Sequence, residues 1–160
     1  MDALEQLKEA AKNNHAASQF QLAVKYLEGV ELQRDFDEAA LWLRRSAEQG
    51  HAQAQIELGK LYVAGKGVEQ DYVEAYKWVE MASIQRLMEI ESLRKLKDAD
   101  SCCEASRNEL TLNNLSEFKR WMALRMTVDQ ITEGQQRAIQ FLTMMRSQHG
   151  PDNPGESQQP

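Results

Sequence analysis

The sequence predicts an all-α fold, a right-handed α-solenoid of about two helix-turn-helix repeats with an N-terminal capping helix and a non-repeat helical C-terminal region. Three observations predict it. Residues 51–72 repeat what the chain does 36 residues earlier: His15-Ala16 returns as His51-Ala52, Gln19 as Gln55, Leu22 as Leu58, Tyr26 as Tyr62, Gly29 as Gly65 and Asp35 as Asp71. The echo continues through Ala39/Ala75 to Trp42/Trp78, and a fixed period of this length marks a stacked array. Within each copy the apolar residues recur at helical spacing on both sides of a turn. Past the second copy the helical pattern runs on through Val79, Ala82, Leu87, Ile90, Leu93 and Leu96 with no glycine or proline.

Residues 1–14 fit the second helix of a preceding unit, with Ala3 falling on Ala39, Leu7 on Leu43 and Ala11 on Ala47. They read as the N-terminal cap. Repeat one, 15–50, predicts helices over Ala16–Leu27 and Phe36–Gln49, separated by a turn at Gly29 and closed by Gly50. Repeat two, 51–83, predicts a helix from Ala52 to Ala64 carrying Ile56, Leu58, Gly59 and Tyr62. Gly65-Lys66-Gly67-Val68 ends it, because glycine accepts the left-handed backbone of a helix end. Asp35 and Asp71 sit at N-cap positions, and Glu38 and Glu74 three residues on give each the spacing of a capping box. The second helix of repeat two begins at Tyr72, carries Ala75, Trp78, Val79 and Ala82 on one face, and extends to about residue 97.

Two and a third repeats are too few to bury a shared core alone, so residues 98–148 are expected to close the stack as a helical cap. A segment near Ser101–Leu112 is followed by the turn-like Asn113-Asn114. Ser116 then stands as the cap of a helix carrying Phe118, Trp121, Met122 and Met126. Thr127-Val128-Asp129-Gln130 has the form of a capping box opening a last helix, with Ile131, Ala138, Leu142 and Met145 on one face. Residues 149–160 are proline, glycine and polar side chains, which predicts a disordered tail.

The run Ala52-Gln53-Ala54-Gln55, Leu58-Gly59, Tyr62, Gly65-Lys66-Gly67-Val68, Asp71, Ala75 and Trp78 resembles the Sel1-like repeat, a member of the tetratricopeptide group of α-solenoids. Repeat one keeps Tyr26, Gly29, Asp35, Ala39 and Trp42 but has Ala23 for the first glycine and Glu31 for the second glycine of the turn, so its turn is expected to differ. Met126-Thr127-Val128-Asp129-Gln130-Ile131, with Glu133, Gln135 and Ala138, is similar to the terminal helix of many bacterial Sel1-repeat proteins, where proline usually stands at Val128 and alanine at Gly134. The resemblance implies a bacterial scaffold or adaptor that binds another protein. The subgroup with paired cysteines in each repeat, linked with β-lactamase activity, does not fit. Neither repeat holds a cysteine or a Ser-x-x-Lys motif.

Composition narrows the function further. The chain has 160 residues, 42% hydrophobic and 28% charged, with net charge −6. Residues 1–83 hold 14 acidic and 9 basic side chains and residues 84–160 hold 11 and 10, so no basic stripe offers itself to a phosphate backbone. Nucleic acid is therefore not an expected partner. No apolar run approaches the roughly 18 residues that span a bilayer. The N-terminus lacks the basic-then-apolar order of a secretory signal, which points to the cytoplasm, with the periplasm left open for a chain whose signal has been removed.

No catalytic residue, metal site or cofactor emerges. His15 and His51 are equivalent positions next to helix starts and read as polar turn residues; His149 lies at the edge of the tail. Cys102 and Cys103 are adjacent, give no zinc spacing, and read as reduced thiols. Gly65-Lys66-Gly67 lacks the strand and the Ser/Thr of a phosphate loop.

The remaining candidate is the concave face of the stack. Phe20, Val24 and Leu27 lie at i, i+4 and i+7 on the first helix of repeat one, with Ile56, Lys60 and Val63 as equivalents in repeat two. Gln53, Glu57 and Lys60 stand at the rim. One reading has the C-terminal helices fold back over this face, with Trp121, Phe118, Phe141 or the methionines packing on it, in a self-assembling structural protein. The other has a partner's helix or peptide occupy it. A third option is a homodimer seam along residues 84–97 or the C-terminal helices. A small enzyme or ligand-binding protein with a pocket between solenoid and C-terminal helices is the alternative from another class.

Overall fold

The computed structural model describes the backbone of residues 2–96 and 99–148 and the side chains of 2–95 and 104–147. Among these are seven helices and no strand: α1 (Ala3–Lys12), α2 (Ala16–Glu28), α3 (Phe36–Glu48), α4 (Ala52–Ala64), α5 (Tyr72–Leu96), α6 (Ala99–Ala123) and α7 (Val128–Gln148). The architecture is the all-α solenoid that the repeat pattern predicts. The thiols of Cys102 and Cys103 and the residues 149–160, His149 included, lie outside the described residues.

The first five helices stack in chain order, each against the one before it. Their small residues let them approach: Ala11, Ala23, Ala39, Ala47, Ala54 and Ala75 are all fully buried. Leu22, Leu43, Leu58 and Val79 fill the spaces between them. His15 and His51 cap α2 and α4, their Nδ1 atoms accepting the backbone N–H of Ser18 at 3.3 Å and of Ala54 at 3.2 Å. The two inter-helix turns differ as expected. Gly67 adopts φ +66°, and a Cβ there would fall 1.9 Å from the Phe36 carbonyl oxygen. The turn of repeat two thus lies directly on the start of α3. Glu31, at the equivalent place in repeat one, keeps a negative φ and turns outward to pair with Lys25 at 2.6 Å.

The capping boxes form only by half. Asp35 accepts the N–H groups of Asp37 and Glu38, and Asp71 those of Val73 and Glu74. The backbone N–H of each Asp, which Glu38 or Glu74 would accept in a full box, is already bonded to the carbonyl of Tyr26 or Tyr62. Glu38 instead accepts Trp42 Nε1–H at 3.1 Å. Glu74 accepts from Lys77 at 2.6 Å and Arg137 at 2.7 Å. Burial would raise the pKa of Glu74, but these hydrogen bonds and charges win and hold it below the ordinary carboxylate range.

Beyond the repeats, α5 is the hub. The pairs Glu80–Lys119 and Arg86–Asn108 show α6 running antiparallel to it, and Glu74–Arg137 and Trp78–Phe141 show α7 running parallel. The turn expected at Asn113-Asn114 is absent. α6 passes through it unbroken, because Ala105, Leu115 and Met122 are buried at helical spacing. Ser116, expected as a cap, donates its hydroxyl to the Leu112 carbonyl inside the helix. The box at Thr127 is complete: Thr127 N–H donates to Gln130 Oε1 at 2.9 Å and Gln130 N–H to Thr127 Oγ1 at 3.3 Å. No helix among the described residues is long and apolar enough to cross a membrane.

Candidate functional site

The apolar row of α2 divides on folding. Phe20 and Val24, half-buried, line an open depression of about 370 Å³ together with Gln21, Lys25 and Glu28. Leu27 turns onto the core. These three polar neighbours escaped the sequence reading, although they carry the signal in their spacing. Gln21, Lys25 and Glu28 repeat the i, i+4, i+7 pattern of Phe20, Val24 and Leu27 one residue further on, so the two rows share one edge of the helix. Phe20 also stacks on His51 across the repeat boundary, ring centroids 4.8 Å apart.

The equivalent row of α4 is used differently. Ile56 is buried in the core and Val63 packs against it. Glu57 accepts from Lys60 at 2.8 Å and from Gln53 at 3.4 Å, so the three rim residues satisfy one another. The structure therefore brings Phe20 and Val24 to one open patch and does not bring Ile56 or Val63 to it.

The C-terminal aromatic residues do not lie over that patch. Phe141 meets Trp78 edge-on at 5.6 Å, and Phe118 stacks on Trp121 at 6.0 Å. The expectation that they cover the α2 row is corrected, and the reason is that α5 extends far enough to engage both added helices itself. The residues considered as a homodimer seam are also partly used within the chain. Ile90 is buried and Leu93 half-buried, bracketed by the Arg86–Asn108 and Arg94–Glu109 bonds to α6.

Two hollows adjoin the corner between α3 and α4. One, of about 340 Å³, gathers His51, Arg86 and Glu89 with several glutamines. Its reactive groups are committed to the fold. His51 Nδ1 caps α4, and Arg86 Nη1 donates to Glu89 at 2.8 Å. Burial first, and the Arg86 charge second, lower the His51 pKa. The other is an apolar cleft of about 520 Å³ between α5 and α7. A further polar hollow holds Arg44, whose guanidinium donates to Tyr62 Oη at 2.5 Å. Burial, aided by Glu74 and Asp71, raises the Tyr62 pKa against the opposing Arg44 charge. Among the described residues no three His, Cys, Asp or Glu side chains stand where they could hold a metal ion.

The Sel1 repeat model matches residues 16–51 and 52–86. The curated proteins contain no match to the chain. Among solved structures, c5321, a protective antigen present in uropathogenic Escherichia coli strains displaying an SLR fold, is 25% identical with a TM-score of 0.62. The match covers 99% of this chain and 30% of that one, so the chain spans about a third of that relative's length. A Sel1 repeat protein from Oxalobacter formigenes is 29% identical, with a TM-score of 0.50, over 71% of this chain and 99% of that one. Residues 16–86 thus form two Sel1 repeats within the seven helices of the described residues.

Proposed function

We propose that this protein is a non-enzymatic scaffold or adaptor that holds a helix or peptide of another protein against α2 of repeat one. Sel1 repeats generally serve protein–protein interaction, and stacked repeats present extended surfaces suited to it. The observation that carries the reading is the open depression at Phe20 and Val24, an apolar floor with Lys25 and Glu28 at its margin and, among the described residues, none of α6 or α7 lining it. Apolar anchors there supply affinity, while the flanking charges select among partners.

Photo-crosslinking tests it. A benzoylphenylalanine replacing Val24 should yield discrete protein adducts in the native cell, and the same group at exposed Leu41 should not. Val24→Glu should abolish co-purification of the adduct partner while the thermal melt stays cooperative. Equal adducts from both positions, or a Val24→Glu protein that retains the partner, would sink the proposal.

A further inference from the structure

A second surface, separate from the α2 depression, lies where α5 and α7 run side by side. Ile84 and Met88 form one wall of the apolar cleft, and Ile139, Leu142 and Arg146 form the other. The walls have helical periodicity: 84 and 88 are one turn apart on α5, and 139, 142 and 146 span two turns of α7. That makes a groove roughly 10 Å long between two parallel helices, and ridges of a third helix pack into such a groove. Its apolar walls are not closed by the rest of the fold. Met88 is 58% exposed and Ile139 60% exposed, and Met144 just along α7 is 50% exposed. Flexible methionine side chains allow such a groove to adjust to what enters it.

Charge identifies the occupant. Of the four arginines on α5 and α7, three carry a carboxylate partner: Arg86 has Glu89, Arg94 has Glu109, and Arg137 has both Glu74 and Glu133. The Arg146 side chain, at the groove's end, has no hydrogen bond or ion pair among the described residues. Among the described residues it is the single formal charge lining the cleft, and it is positive in a chain of net charge −6. We propose that this groove binds a two-turn amphipathic helix of another protein. That helix would set aliphatic side chains at i, i+3, i+4 and i+7 between Ile84, Met88, Ile139 and Leu142, with an Asp or Glu one turn on meeting Arg146. Recognition of this kind divides the work: the buried aliphatic face supplies affinity and the exposed ion pair supplies selectivity.

The probes are two alanine-based helical peptides about 16 residues long, enough for partial helicity alone. Both carry leucines at i, i+3, i+4 and i+7, and one ends in Glu where the other has Lys. Methyl NMR titration of the full chain should show shifts concentrated at Ile84, Met88 and Ile139. The Glu peptide should bind roughly fivefold tighter than the Lys peptide. Arg146→Glu should reverse that order, and Ile139→Glu should weaken both peptides by about tenfold or more. Both positions are exposed, so unchanged thermal melts are expected. Val24→Glu should leave peptide binding intact, which separates this groove from the α2 depression. Absent or scattered shifts, or an order that Arg146→Glu does not change, would overturn the proposal. So would a protein that dimerises alone and becomes monomeric with Ile139→Glu in sedimentation velocity, because the occupant would then be a second copy.

Discussion

Gln19 donates its Nε2–H to the carbonyl of Ala11 over 3.1 Å, and 36 residues later Gln55 makes the same 3.1 Å bond to Ala47. Both glutamines are fully buried, and both acceptors lie in the last turn of the helix before. Carbonyls there lack partners within their own helix, so each glutamine ties the first helix of a repeat to the unit before it. The two differ in what else they do. Gln19 also reaches Asn14 at 3.2 Å and accepts from Gln49 at 2.6 Å, whereas Gln55 Oε1 has no partner among the described residues. Gln19→Leu should therefore cost about 2–3 kcal/mol and Gln55→Leu about 1 kcal/mol or less, since the second also removes an unsatisfied oxygen. Urea titration of both variants checks the order. Equal costs would show that the extra bonds of Gln19 contribute nothing net.

Gly59 and Val79 form a pair that repeat one solves differently. A Cβ on Gly59 would fall 2.8 Å from Val79 Cγ2 and 3.3 Å from the Ala75 carbonyl. Repeat one has Ala23 and Leu43 at these places, and both are fully buried. Leucine branches one carbon further out than valine, which leaves room over the helix for the alanine methyl. Gly→Ala inside a helix normally gains about 1 kcal/mol. Val79 is fully buried and has nowhere to retreat, so overpacking of about 1–3 kcal/mol should win and Gly59→Ala should destabilise. Adding Val79→Leu should recover most of that loss. A double-mutant cycle should then give a coupling of about 1 kcal/mol or more, and a coupling near zero would refute the account.

The repeats were legible because their spacing is carried by residues with one physical use each. Glycine appears where the backbone turns left-handed or a carbonyl crowds in, Asp where a helix starts, and alanine where helices touch. The α2 row was legible for its apolar spacing, yet the burial of Ile56 was not, since equivalent positions look alike until their neighbours are placed. Least legible was the α5–α7 cleft. It joins residues 84–88 to 139–146, and no local pattern specifies that those two helices run parallel.

Asn113 and Asn114 show the limit of local preference in a single case. Asparagine favours turns because its side chain competes for backbone hydrogen bonds, but both residues are exposed in the middle of α6. Packing of Leu115 and Met122 outweighs the preference without removing its cost. Replacing both by alanine should stabilise the protein by about 1 kcal/mol from helix propensity, read as a higher midpoint in thermal circular dichroism. A fall in the midpoint would mean that the pair forms a turn in solution.

Acid should weaken the boundary between the repeats through His51. Its Nδ1 accepts the Ala54 N–H and its ring stacks on Phe20, so the neutral form with the proton on Nε2 is the one that fits. Burial, and then the Arg86 charge, lower its pKa from the ordinary 6.5. The unfolded chain therefore binds the proton more readily than the folded one. Its contribution to stability is complete above about pH 6.5 and declines as the pH falls below that value toward the folded pKa. Protonating Nδ1 would also remove the cap from α4. Denaturant midpoints measured between about pH 8 and pH 5 should fall on the acid side, with a net proton uptake on unfolding. His51→Asn keeps a capping side chain and has nothing to titrate, so its midpoints should follow a shallower course over the same range. Parallel curves for the two proteins would assign the acid sensitivity to other groups.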